Sequence, residues 1–262
     1  MAEQVVLLDI RDTAAWITLN RPTAMNALTP GVLAGIDSAL DEVAKLPEIR
    51  AVVFTGAGRA FSAGADLKFI RESSGGDPRA LQNFLQAVYT VLNRVEHFPR
   101  PTIAAVNGLA LAGGLELTLC CDLVVASESA KLGDAHANFG LIPGGGSSVR
   151  LPRKIGPTRA KYLMYTGEFF PARDLVAYGL VNEVVPDTEL TSAIEKLVAK
   201  LANKSPVGLE KMKYLVDDGL NQPADTALRL ELLAFDLHMN SEDVQEGLAA
   251  FEQKRTPQFK GR

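Results

Sequence analysis

An apolar strand that runs into a glycine-rich turn and then into a helix is the feature that most constrains this chain. The predicted strand, Thr102–Val106, leads into the turn at residues 107–114, and a helix-compatible run at residues 115–121 follows at once. Backbone N–H groups at a glycine-rich helix N-terminus bind negative charge. One carboxylate, Glu116, lies about one helical turn beyond Gly113. This combination suits chemistry that builds an oxyanion on a carbonyl.

A second turn follows the same logic. Residues 51–56 are apolar and rich in β-branched side chains, which predicts a buried strand. The strand leads into residues 57–68, where most side chains are small. Small residues let a substrate approach the main chain closely. Two strand–turn–helix units of this kind predict one backbone N–H donor each for the same oxygen.

Hydrophobic patterning along the first two thirds of the chain predicts an α/β fold. Apolar runs at residues 5–10 and 14–19 indicate a strand hairpin, and Thr29 is placed to cap the helix that follows it. Residues 73–78 are rich in serine and glycine and predict a flexible loop, whereas residues 79–97 predict an amphipathic helix. Strands that alternate with helices in this way indicate an α/β core.

After Pro186 the pattern changes to helices. The periodicity predicts four of them, at residues 189–203, 206–218, 224–240 and 242–255. We therefore place a soft boundary near residue 195, between a core of residues 1–195 and a C-terminal helical region of residues 196–262.

Composition excludes several classes of protein. The chain has 262 residues, 47% apolar and 22% charged, as expected of a globular protein. Its net charge of −4 gives no general attraction to nucleic acid or to an anionic membrane. The apolar stretch at residues 103–121 is interrupted by Asn107, glycines and Glu116, which argues against a membrane helix. Adjacent Cys120 and Cys121, with no secretory signal pattern, predict a cytoplasmic protein.

Four segments resemble the signature segments of the enoyl-CoA hydratase/isomerase (crotonase) superfamily. They are LNRPTAMNAL at residues 19–28, FSAGADL at 61–67, NGLALAGGLE at 107–116 and GLIPGGG at 140–146. The resemblance covers nearly the whole chain and extends to residues 251–255. It implies a spiral of ββα turns, with C-terminal helices that pack against the neighbours in a homotrimer, often within a homohexamer. It also implies an acyl-CoA substrate, and no cofactor other than the coenzyme A carried by that substrate.

The resemblance assigns chemistry to particular residues. The backbone N–H groups of Ala65 and Gly113 match the oxyanion hole, which holds the thioester oxygen as it becomes an enolate. Glu116 matches a catalytic glutamate that holds and activates the water added at Cβ. A carboxylate on an apolar helix is costly to bury without a partner, so Glu116 is either a surface residue or a site residue.

The chain departs from the hydratase pattern at His136, which occupies the position of a second catalytic glutamate. Imidazole both accepts and donates protons near neutral pH, so Glu116 and His136 still supply an acid–base pair in principle. Because imidazole is bulkier than a carboxylate, standard hydration does not follow automatically from this pair. The alternative is a structural histidine that hydrogen-bonds Asp134 or Asn138.

The resemblance also implies where coenzyme A binds. The expected contacts are Ala24, Met25, Ala63, Ala65, Asp66, Leu67, Lys68, Phe251 and Lys254. Residues 254–262 carry four cations and no acidic side chain, which predicts a local anion site on an acidic protein. Aromatic residues are too sparse there to favour RNA binding. No metal site is expected, because His97 and His238 stand alone without ligand spacing.

Three hypotheses about function follow. The first is an enoyl-CoA hydratase-like lyase that adds water across a 2-enoyl-CoA, with Glu116 and His136 as the acid–base pair. The second keeps the oxyanion hole but makes the enzyme a double-bond isomerase, or a hydrolase of a CoA thioester or a C–C bond. The third is a non-catalytic acyl-CoA-binding protein of the same fold. The sequence favours the first.

Overall fold

The computed structural model describes residues 4–74 and 78–262, which form two β-sheets covered by helices. The strands are β1 (Val6–Arg11), β2 (Ala14–Leu19), β3 (Ala51–Gly56), β4 (Ala60–Ser62), β5 (Thr102–Val106), β6 (Leu109–Leu111), β7 (Leu123–Ser127), β8 (Lys131–Gly133), β9 (Phe170–Pro171) and β10 (Glu183–Val185). The helices are α1 (Pro30–Ala44), α2 (Leu67–Ser74), α3 (Pro78–Glu96), α4 (Gly113–Cys120), α5 (Ser147–Ile155), α6 (Pro157–Thr166), α7 (Ala172–Val176), α8 (Leu190–Ala202), α9 (Pro206–Gly219), α10 (Ala224–His238) and α11 (Glu242–Glu252).

The larger sheet joins six strands of the described chain in the order β1-β2-β3-β5-β7-β10. β1 and β2 form the predicted antiparallel hairpin, and the neighbours from β2 to β10 are parallel. Alternate residues of β3 pack on opposite faces: Phe54 clusters with Leu40 of α1, and Val53 clusters with Ile194 of α8. The strand is apolar on both faces because both are covered by helices.

The smaller sheet has the order β4-β6-β8-β9, with β4, β6 and β8 parallel to one another and β9 antiparallel to β8. β4, β6 and β8 each come directly after a strand of the larger sheet, and a helix follows each of them along the chain. This arrangement is the expected spiral of ββα turns in an α/β fold, and it confirms the fold class. The carboxyl ends of β4, β6 and β8 lie side by side, so the loops that follow them meet.

Most predicted helices are present. The Thr29 hydroxyl accepts a hydrogen bond from the Val32 N–H at 3.3 Å, so Thr29 caps α1 as predicted. The loop prediction at residues 73–78 was wrong for Ser73 and Ser74, which end α2, and for Pro78, which begins α3; residues 75–77 lie outside the described part of the chain. The two serines extend α2, so the helix does not end where the serine- and glycine-rich stretch begins.

The C-terminal region is helical as predicted, from α8 to α11. Leu190, Ile194 and Val198 of α8 pack against the larger sheet, and position 195 lies inside this helix. The division near residue 195 stays a prediction. No helix in residues 4–74 or 78–262 is long and apolar enough to cross a membrane.

Candidate active site

Three of the predicted site residues follow neighbouring strands of the smaller sheet. Ala65 follows β4, Gly113 follows β6, and His136 follows β8. Within this sheet Leu111 of β6 lies opposite Gly133 of β8, and the Ala112 N–H donates to the Gly133 carbonyl at 3.0 Å. The parallel strands therefore bring together residues that are far apart in sequence.

The turns that carry Ala65 and Gly113 touch each other. Gly64 has a φ of +96°, and a Cβ added to it would lie 2.8 Å from the Ala112 Cβ and 3.0 Å from the Gly113 nitrogen. A Cβ added to Gly113 would lie 3.3 Å from the Ala65 nitrogen. Only glycine fits at position 64, because a Cβ there would be too close to the neighbouring turn. Without that Cβ, the two N–H groups lie side by side.

Both N–H groups are free to bind a ligand. Leu28 donates to the Gly64 carbonyl at 2.8 Å and accepts from the Asp66 N–H at 3.0 Å, which leaves the Ala65 N–H outside this pairing. Gly113 is the first residue of α4, where an N–H has no partner within the helix. Neither group donates a hydrogen bond to another described residue. Ala112, directly before α4, has φ 48° and ψ −116°, a strained conformation of the kind found at functional sites.

Glu116 lies inside the protein, with only 2% of its surface exposed. Its Oε1 accepts hydrogen bonds from the Gly145 N–H at 2.8 Å and the Ser147 N–H at 3.1 Å. Burial raises the pKa of this carboxyl, although those hydrogen bonds and the charge of His136 act in the opposite direction. Of the two positions that the sequence allowed for Glu116, surface or interior, the structure has the interior one.

His136 lies in a short 3₁₀ helix, His136–Phe139, directly after the turn that follows β8. Its Nδ1 lies 3.0 Å from Oδ1 of Asp134, which is one of the two hydrogen bonds predicted for it. The other candidate, Asn138, donates instead to the Gly167 carbonyl at 2.8 Å. Burial lowers the pKa of the imidazole, but the hydrogen bond and charge of Asp134 and the charge of Glu116 together raise it above its ordinary value.

The residues expected around coenzyme A fall into two groups. The first group lies on two segments that are in contact, the turn at Ala24 and the loop after β4. The Ala63 N–H joins them by donating to the Met25 carbonyl at 2.9 Å. Asp66 accepts from Arg21 at 3.2 Å, while the Lys68 side chain is exposed and lies 4.0 Å from Glu72.

Comparison with known proteins identifies the family. The family model described as "Enoyl-CoA hydratase/isomerase" matches residues 9–262. The chain belongs to the enoyl-CoA hydratase/isomerase family.

Similar members of the family cover the whole chain. A crotonyl-CoA hydratase of Syntrophomonas wolfei is 36% identical over 260 residues, which is 99% of each chain. The 2,3-dehydroadipyl-CoA hydratase of Escherichia coli is 39% identical over 247 residues, 94% of each. The crystal structure of an enoyl-CoA hydratase from Bacillus anthracis superposes with a TM-score of 0.93 at 38% identity, covering 99% of this chain and 100% of that one. These relatives support an enzyme and give no support to the hypothesis of a non-catalytic binding protein.

Within this family fold, the second group of coenzyme A residues comprises Phe251 and Lys254. Phe251, at the end of α11, is 84% exposed, and Lys254 follows it in an exposed turn. No hydrogen bond or ion pair among the described residues joins either of them to the loop after β4. Two of the four tail cations are already paired, Arg255 with Glu246 at 2.6 Å and Arg262 with Glu242 at 3.0 Å. The tail therefore has fewer unpaired cations for the predicted anion site.

Two residues that support the site were missed by sequence reasoning. Asn26 is fully buried, and its Nδ2 donates to the carbonyls of Ala57 at 2.9 Å and Ala60 at 2.7 Å. Arg150 donates to the Gly145 carbonyl at 2.8 Å and forms an ion pair with Glu96 at 2.6 Å. Arg150 thus fixes the loop that donates to Glu116. Asn26 lies within the family segment at residues 19–28, so the sequence held a signal that could have found it. Nothing in the sequence distinguishes Arg150 from a surface arginine.

The described chain contains no group of three or more His, Cys, Asp or Glu side chains that would hold a metal ion. Both cysteines are buried free thiols, and burial raises the pKa of Cys120 to about 12.

Proposed function

We propose that this enzyme adds water across the double bond of a 2-enoyl-CoA thioester. Glu116 and His136 are the acid–base pair, and the N–H groups of Ala65 and Gly113 form the oxyanion hole. The observation that supports this most is the buried Glu116 carboxylate, which lies within electrostatic reach of His136 in the strand-end cluster that also carries the two N–H groups.

The reaction balances with these groups alone. Glu116 takes a proton from water, and the water oxygen bonds to Cβ as the π electrons move onto the thioester oxygen. The Ala65 and Gly113 N–H groups stabilise that enolate oxygen, and each such donor is worth about 2.7–4 kcal/mol in a comparable site. The enolate then takes a proton at Cα from the His136 imidazolium. A proton passes from Glu116 back to His136 to complete the cycle.

The pKa directions suit this division of roles. Burial raises the pKa of Glu116, which makes its carboxylate a stronger base than an exposed glutamate. The pKa of His136 is lowered by burial but raised more by Asp134 and Glu116, so the imidazole keeps its proton to higher pH and can donate it.

Turnover of crotonyl-CoA tests the proposal. We expect the enoyl-thioester absorbance to fall and the product mass to increase by one water, with no release of free thiol. Release of thiol would instead favour a thioester hydrolase, which the hydrogen bond between His136 and Asp134 also fits, since that arrangement activates water in hydrolases. A product of unchanged mass would favour the isomerase. Failure to hydrate any 2-enoyl-CoA in a series of acyl lengths would contradict the proposal.

Coenzyme A binding is proposed to involve the turn at Ala24 and Met25, the loop at residues 63–68 and the C-terminal pair Phe251 and Lys254. The continuity of the first two segments supports this placement. The cofactor-free reaction and the cytoplasmic location stay predictions of the same kind.

Lys68→Ala should weaken CoA binding about fivefold at low salt, because an exposed cation near a phosphate contributes up to about 1 kcal/mol. The difference from wild type should shrink as salt rises. Lys45→Ala is the matched control, since Lys45, at the C-terminal cap of α1, is also an exposed lysine paired with a glutamate, Glu42. Titration calorimetry with CoA measures both variants, and equal affinities at low salt would remove Lys68 from the site.

We also propose a homotrimer or homohexamer. Helices α9 and α10, with the C-cap residue of α9, expose large apolar side chains on the described chain, namely Met212, Tyr214, Val216, Leu220, Leu228, Leu232, Leu233, Phe235 and Leu237. Apolar surface of this extent is unusual for a monomer and supports contact with neighbouring subunits. In such an assembly Phe251 and Lys254 are available to the nucleotide of an adjacent subunit.

A further inference from the structure

Asp134 is a buried carboxylate with an incomplete set of partners. Only 1% of its surface is exposed. Its Oδ1 lies 3.0 Å from Nδ1 of His136, whereas its Oδ2 has no hydrogen-bond partner among the described residues. No lysine or arginine of the described chain forms an ion pair with it. A buried carboxylate without a compensating cation is strongly unfavourable, so His136 is the group that stabilises it.

The backbone between the two residues is strained in a way that brings their side chains together. Ala135 has a φ of 58°, a left-handed conformation that is unfavourable for a residue with a Cβ. The His136 N–H donates back to the Asp134 carbonyl at 2.8 Å, which closes a turn of three residues. Strain of this kind persists where the surrounding structure fixes it, and it is concentrated at functional sites.

We infer that Asp134 is a positioning residue of the active site, which fixes the tautomer and the orientation of His136 so that Nε2 faces the reacting atoms. The inference rests on the proposed function, because it gives His136 a role in proton transfer. Since Nδ1 is held by Asp134, only Nε2 remains available to deliver a proton to Cα or to contact water. The same relation between a carboxylate and an imidazole orients the general base of Ser-His-Asp hydrolases.

The charges around His136 come from two elements. Asp134 precedes the 3₁₀ helix on the loop after β8, and Glu116 faces the imidazole from α4; both raise the pKa of His136 against the lowering effect of burial. Helix α6 contacts the same 3₁₀ helix. The hydrogen bond from Asn138 to the Gly167 carbonyl forms just beyond the C-terminal end of α6. The imidazole of His136 therefore interacts with two buried carboxylates, and removal of either one is expected to change its titration.

Asp134→Asn tests this inference because asparagine keeps the shape of aspartate and removes its charge. With histidine labelled at Cε1 by ¹³C, NMR follows the three imidazoles of the chain, and His136→Gln assigns the signal of His136. We expect the midpoint of the His136 titration to move to lower pH in Asp134→Asn. On the best acyl-CoA substrate, kcat should fall by about 10²-fold with KM within about twofold, and the basic limb of the kcat profile should move to lower pH.

Asp243→Asn is the matched control. Asp243 is also buried, and it accepts hydrogen bonds from Ser205 and from the N–H groups of Lys260 and Gly261, so its loss is structural. It should lower the melting temperature and leave the His136 titration unchanged. Asp134→Ala, which introduces no new hydrogen bond, serves as the second variant if Asp134→Asn does not fold.

The NMR titration needs no substrate, so it separates this inference from the proposed function. An unchanged His136 midpoint in both Asp134 variants would overturn the inference, whatever reaction the enzyme catalyses. An unchanged kcat alongside a shifted midpoint would overturn the positioning role as well. A shifted midpoint and a lowered kcat on a substrate that is not hydrated would support the positioning role and contradict only the hydratase proposal.

Discussion

Glu116→Gln is expected to lower kcat by about 10²–10⁴-fold on the best acyl-CoA substrate, because it removes the group that takes a proton from water. The amide oxygen still accepts from the Gly145 and Ser147 N–H groups, so the loop that holds the side chain should keep its place. Burial already disfavours the charged carboxylate, as the raised pKa of Glu116 indicates, so a neutral amide should cost little stability. Steady-state kinetics and thermal melting measure the two effects separately.

Thr118→Val is the control for Glu116→Gln. Thr118 is fully buried on the same helix, and its hydroxyl donates to the Gly114 carbonyl at 2.9 Å. Its replacement removes a polar group of α4 without touching the acid–base pair, so the melting temperature should fall and kcat should stay near the wild-type value. A Glu116→Gln enzyme as fast as wild type would leave His136 as the acid–base residue and reject the proposed mechanism.

Gly64→Ala is expected to lower kcat by about 10²–10³-fold, the loss that follows removal of one oxyanion-hole donor. The new methyl group would lie 2.8 Å from the Ala112 Cβ and 3.0 Å from the Gly113 nitrogen, so the two turns must separate. Separation moves the Ala65 and Gly113 N–H groups away from a common oxygen. Alanine at a φ of +96° also adds strain of about 1–3 kcal/mol.

Gly179→Ala distinguishes the loss of geometry from the strain. Gly179 has a φ of +79°, and the nearest atom to an added Cβ is 4.0 Å away. Both variants should melt at lower temperature, but kcat should fall in Gly64→Ala alone. If kcat fell equally in both, the contact between the two turns would have no special part in catalysis. Kinetics should be measured well below both melting temperatures.

Long patterned elements could be predicted from the sequence, and short ones could not. The Thr29 cap, the first hairpin and the C-terminal helices carry many residues of consistent periodicity. The strands β4, β6 and β8 have three residues each, which is too few for a periodic signal. They nevertheless determine where the candidate site residues lie. Their pairing depends on contacts between distant parts of the chain.

The same limit applies to the candidate site. Glu116 and His136 were predicted from the family resemblance, but burial of Glu116 and its two backbone donors depends on the loop at residues 144–146 folding over α4. The choice between Asp134 and Asn138 as the partner of His136 was open in the sequence. It is decided by the left-handed turn at Ala135, which directs the chain back on itself.

The separation of main-chain donors from ionisable side chains bears on how a fold of this kind diversifies. The Ala65 and Gly113 N–H groups belong to the polypeptide itself, so in the proposed mechanism the exchange of a side chain that does not contact their two turns leaves enolate stabilisation in place. The proposed proton-transfer groups lie on different elements, Glu116 on α4 after β6 and His136 on the 3₁₀ helix after β8. If the proposed roles hold, a change between glutamate and histidine at position 136 alters which proton moves and leaves the two main-chain donors unchanged.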